Sequence, residues 1–179
     1  MYFYPINRTY RIMLKITLKF AFSFLFFLSM SSCSTEGENG ETEVIEEISE
    51  EKKFDYSEIE KDILKLVNEY RTELELQPLK PIAEISLEAE SHNFYMIEQG
   101  EVSHDNFAAR SEYLVNNLKA KAVSENVAYG YRSADAVVKA WLSSEGHREN
   151  IEGDYSHFGI SVVDDEEGSN YFTNIFLRK

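Results

Sequence analysis

Cysteine occurs once in these 179 residues, at Cys33, so no intramolecular disulfide is available. Proline occurs three times and glycine eight times, and no glycine-rich phosphate loop can be assembled from so few. Basic charge is scarce: 18 Lys and Arg stand against 32 Asp and Glu, for a net charge of −14. That balance argues against nucleic acid and against electrostatic adhesion to anionic lipid. No apolar run is long enough to span a bilayer comfortably; the longest, Phe20 to Met30, is interrupted by Ser23 and Ser29.

What the amino terminus does contain is organised. Residues 1–32 carry Arg8, Arg11, Lys15 and Lys19 and no acidic residue, and the apolar run follows. A basic region followed by a short apolar one describes a secretory signal, and Met13 opens a conventional signal of its own. Ser31-Ser32-Cys33 ends it in the manner of a bacterial lipobox, with Met30 where Leu is usual. The expectation is diacylglycerol attachment to Cys33, cleavage before it and N-acylation. Several acyl chains on one residue hold firmly, since each buried methylene contributes about 0.8 kcal/mol. No thiol nucleophile then remains.

Ser34 to Glu60 holds eleven acidic residues and two basic ones, which predicts an extended, self-repelling tether over 33–56. Residues 57–179 suit one domain with one hydrophobic core. Ser57 and Glu60 form a capping box, and Ile59, Ile63, Leu66, Val67, Tyr70 and Leu74 follow at helical spacing. Pro78 and Pro81 bracket a connector. A second helix is expected over 84–99, with Gly100 as its stop, and a third over 106–116. Ala122–Tyr129 reads as a strand. Ser133 caps a fourth helix that runs through Ser144 and is ended by Gly146. Phe158–Val163 and Tyr171–Leu177 read as a hairpin around an acidic turn, 164–170. Helices first and strands late is an α+β pattern.

Chemistry concentrates in three separated segments: Ser103-His104, Ser124-Glu125-Asn126-Val127-Ala128, and Ser144-Glu145-Gly146-His147-Arg148-Glu149-Asn150-Ile151. Together they supply two imidazoles and two carboxylates, the groups of a metal site, of acid/base chemistry or of a buried hydrogen-bonded network. Glu145 and His147 are two apart and would not face each other within one helix. Gly146 between them is expected to release the backbone from helical geometry, so that both turn toward one cleft.

In order and spacing, these blocks resemble the CAP superfamily (cysteine-rich secretory proteins, antigen 5, pathogenesis-related 1; the SCP domain). The resemblance covers nearly all of 57–179. It also takes in Asn68-Glu69-Tyr70-Arg71, the Ala89…His92…Met96 helix, Trp141, Phe158-Gly159-Ile160 and Tyr171-Phe172-Thr173-Asn174-Ile175-Phe176. It implies an α-β-α sandwich with a small antiparallel sheet between helical layers, in a cysteine-poor bacterial branch. It places the family's tetrad on His104, Glu125, Glu145 and His147. Two imidazoles, His104 and His147, then bind Zn²⁺ modestly with positions left for water, while Glu125 and Glu145 orient them or serve as base. Family members are associated with sterol or lipid binding, protein interaction and, in isolated cases, proteolysis.

The resulting expectation is a lipid-anchored protein of the cell envelope, at the outer membrane and on its surface. It would bind a divalent metal, or a small lipid-like or cell-wall-derived ligand, in a His/Glu cleft. Two competitors stand beside it. One is a metal-assisted hydrolase using Glu125 or Glu145 as catalytic base; the other is a surface protein with protein partners and a purely structural tetrad. His92 reads as a core or rim histidine and His157 as a strand-edge residue. Trp141 reads as core, Asn126 and Asn150 as loop cross-links, and Arg148 as the partner of a carboxylate or of an anionic ligand.

Overall fold

The computed structural model describes residues 53–179. The expected signal over 1–32, the expected lipidation site Cys33 and nearly all of the expected tether lie outside the described residues. The elements run α1 (Glu58–Glu73), β1 (Lys80–Pro81), α2 (Ala83–Gln99), α3 (Phe107–Leu118), β2 (Ala122–Tyr129), α4 (Ala134–Ser143), α5 (Glu145–Glu152), β3 (His157–Asp164) and β4 (Asn170–Arg178). The sheet order is β1-β3-β4-β2. β4 pairs antiparallel with both β3 and β2. The two-residue β1, inside the connector, adds a parallel edge to β3 that the sequence did not announce.

Side chains along β3 and β4 alternate between faces, as the pleat requires. Phe158, Ile160, Phe172 and Phe176 pack with Ile63 and Val67 of α1, Val137 and Trp141 of α4, and Ile151 of α5. Ile175 and Leu177 turn the other way, onto Ile85 and Ala89 of α2 and Leu114 of α3. Both faces of the sheet are thus covered, giving the α-β-α sandwich. Gly159 lets α2 lie close: a Cβ there would meet the backbone of Ile85 and Ser86 at 2.5 Å.

Three polar anchors close the first layer. Glu60 accepts from the Ser57 amide at 2.7 Å and from its hydroxyl at 2.8 Å, and its other oxygen accepts from the Val162 amide at 2.8 Å. The cap therefore also ties the start of α1 to β3. Arg71 is buried and donates to four backbone carbonyls, those of Gln77, Ile151, Gly153 and Tyr155. Asn68 exchanges two hydrogen bonds with the backbone of Leu79, and so holds the connector as a strand neighbour would.

One expectation about the backbone fails. The chain breaks at Ser144, which is extended (φ −99°, ψ 122°) and serves both as the C-cap of α4 and as the N-cap of α5. Gly146 lies inside α5 and terminates nothing.

Candidate functional site

Glu125 sits mid-strand on β2, opposite Ile175, and so points to the α2/α3 face. Its side chain is 1% exposed. Arg110 of α3 engages both carboxylate oxygens, Nε donating to Oε2 at 3.0 Å and Nη2 to Oε1 at 2.9 Å. The remaining guanidinium nitrogen donates to the Asp105 carbonyl at 2.7 Å and so fixes the α2–α3 loop. This planar, two-point pairing is what a buried carboxylate needs, since an unpaired charge there would be strongly destabilising.

His104, in that loop, places Nδ1 2.9 Å from Glu125 Oε1. A carboxylate only accepts, so Nδ1 carries a hydrogen; in the neutral ring Nε2 then keeps its lone pair, on a side chain that is 52% exposed. His92, buried on α2, donates from Nε2 to the Ser103 carbonyl at 2.8 Å and lies 3.8 Å from Glu125. Burial, then the nearby Arg110 charge, pushes its pKa down. It reads as structural, as expected, yet it also holds the residue beside His104 in place.

His147 reaches the site from the opposite layer, on α5. Its backbone carbonyl accepts from Asn126 at 3.0 Å. Asn150 donates to the Glu125 carbonyl at 3.2 Å and to Asn126 Oδ1 at 2.8 Å. These two amides are cross-links between β2 and α5. Burial lowers the His147 pKa, and the proximity of His104 lowers it further, which keeps the ring in the form that binds metal.

The structure therefore brings together His104, Glu125 and His147. Glu145 stands apart: it is the first residue of α5, exposed, and its side chain makes no hydrogen bond or ion pair with the described residues. Because Gly146 is helical, Glu145 and His147 stay two apart on one helix and diverge, the opposite of the turn expected at that glycine. Among the described residues no group of three or more His, Cys, Asp and Glu side chains is placed to hold a metal ion. Arg148 lies 3.7 Å from Glu152 and donates to the Leu142 carbonyl. His157 opens β3, beside β1, and its Nδ1 lies 2.8 Å from Ser156 Oγ. Trp141 is core, its indole donating to the Val127 carbonyl at 3.2 Å.

Sequence reasoning missed Arg110. Its signal was present: Phe107, Arg110 and Leu114 share one stripe of α3, and a lone arginine on a buried stripe asks for a buried acid.

A match to the CAP, or cysteine-rich secretory protein, family spans residues 64–176. The uncharacterized protein YkwD of Bacillus subtilis is 30% identical over 127 residues, 69% of this chain but 48% of that protein. The chain thus spans about half the length of that relative. An outer surface protein of Borrelia burgdorferi superposes with a TM-score of 0.62 at 21% identity, over 70% of this chain and 96% of that one. An extracellular SCP-domain protein of Bacillus anthracis gives 0.58 at 26%, over 66% of this chain and 40% of that one. With the α-β-α layers and the matched span in agreement, the chain belongs to the CAP, or cysteine-rich secretory protein, family.

Proposed function

We propose that this CAP domain is an extracytoplasmic binding module, lipid-anchored through Cys33, that takes a divalent metal, zinc first, through His104 and His147. A small lipid-like or cell-wall-derived ligand would share that site. The observation that carries the reading is the Arg110–Glu125–His104 relay. A carboxylate that fixes one ring nitrogen while the other faces solvent is the usual arrangement behind a metal-binding imidazole. Bound there, the ion would supply a Lewis-acidic centre with positions open to water or ligand. The outer-surface and extracellular descriptions of the structural relatives support the location, and the lipobox-like Ser31-Ser32-Cys33 supports the anchor.

The same geometry disfavours the hydrolase reading. Both Glu125 oxygens are engaged by Arg110 and one also by His104, so Glu125 is an orienting group and a poor base. Glu145 is left as base, outside the network.

The test is a calorimetric zinc titration of the metal-free full chain in detergent, at about pH 7.5 and again at about pH 5.5, on either side of the imidazole range. Binding near one equivalent is expected, lost at the lower pH and in His104→Ala/His147→Ala. Absence of binding to the folded wild-type chain would overturn the metal reading. Hydrolytic activity abolished by chelation and by Glu145→Gln would instead establish the enzyme.

A further inference from the structure

Residues 88, 91, 92 and 95 of α2 and residues 106, 109, 110 and 113 beside and along α3 repeat the same helical spacing and face one cleft of about 270 Å³. A helix face turned toward another helix is ordinarily apolar. Here the facing residues are mostly hydroxyls, phenols and charged groups, and the two helices are held apart by the sheet they share. Neither His104, Glu125, Glu145 nor His147 lines this space. We propose that the α2–α3 cleft is a separate binding site for a small, neutral, hydroxyl-rich ligand of the size of one or two sugar rings.

Four features support that class. The volume lies just under the roughly 300 Å³ at which drug-sized sites begin, so the occupant is small. The Tyr95 hydroxyl donates to Asp105 at 3.0 Å and the Tyr113 hydroxyl to Glu84 at 2.8 Å. Each phenol is thereby held in place at the cleft wall, Tyr95 also by stacking on His92, and aromatic rings lining a cleft suit the C–H side of a pyranose. The third feature is Ser91, whose exposed hydroxyl on the cleft wall can both donate to and accept from a ligand hydroxyl. The fourth is charge. Arg110 spends its guanidinium on Glu125 and the Asp105 carbonyl, Glu88 lines the cleft, and Glu84 and Asp105 hold its two phenols, which disfavours anions.

The test is saturation-transfer NMR on the full chain in detergent, with excess chelator, using glucose and its β-1,4-linked dimer cellobiose as probes and choline and inorganic phosphate as charged controls. Running it metal-free separates this inference from the zinc reading, so either can fail alone. Ser91→Trp and Ala109→Trp fill the cleft from opposite walls at exposed positions, with folding checked by circular dichroism. Transfer to cellobiose is expected, weakened about tenfold or more in both variants. No transfer to either sugar would overturn the proposal. So would undiminished transfer in the folded variants, or preferential binding of choline or phosphate.

Discussion

Arg110 occupies a place where an apolar side chain would ordinarily sit, and its value lies in what it neutralises. Arg110→Met would leave Glu125 buried with only His104 as partner. The expected loss is about 3–5 kcal/mol in urea unfolding, with much of it recovered in Arg110→Met/Glu125→Leu. A loss below about 1 kcal/mol would show that water reaches the pair. The imidazoles give a pH signature. His92, His147 and His157 all have folded pKa values lowered by burial, followed by nearby positive groups. Their unfolded counterparts titrate near 6.5, so the unfolded chain binds more protons below that pH. The stability they contribute is therefore complete above about pH 6.5 and is lost as pH falls toward the folded values. Urea midpoints should drop between about pH 7 and pH 5, and His92→Gln should flatten the drop.

At the scale of elements, the close seat of α2 on β3 is the most exacting contact. Gly159→Ala drives a methyl into the α2 backbone, which cannot give way as a flexible side chain would. A loss of about 3 kcal/mol is expected by thermal unfolding, with α2 lifted from the sheet. Much at this scale was legible beforehand. The capping box at Ser57, the Gly100 stop in left-handed geometry and the full length of β2 follow from local chemistry. What was not legible depended on tertiary partners. β1 is two residues long and includes a proline, so it carries no periodicity of its own. The α4–α5 break was assigned to Gly146 because glycine is the usual stop, whereas Ser144 makes it with an ordinary extended backbone. Of the site, His104, Glu125 and His147 could be named from their blocks. Glu145 belonged to the same block, but its direction depended on a backbone turn that the chain makes just before it, at Ser144.

Across the whole domain, cohesion without disulfides rests on side chains that serve several segments at once. Arg71 joins α1, the connector and the α5–β3 loop through four carbonyls. Arg71→Met orphans those acceptors together and should lower stability by about 3 kcal/mol or more, with α5, and His147 with it, the first region to lose hydrogen-exchange protection. The residual charge sets the social behaviour of the molecule as well: from Lys61 onward 12 basic residues face 21 acidic ones, so copies repel one another.

That repulsion guards a weak seam. β2 borders the sheet, with β4 on one side only. A strand with one bare flank invites another copy to pair with it, the opening step of polymerisation. Asn150 answers by placing its amide on the Glu125 carbonyl, occupying an acceptor that a stranger's backbone would seek. The amide that cross-links β2 to α5 is thus also a gatekeeper against fibre growth. Asn150→Ala should sediment as higher oligomers at high salt, where charge no longer keeps copies apart, while the parent chain stays dispersed.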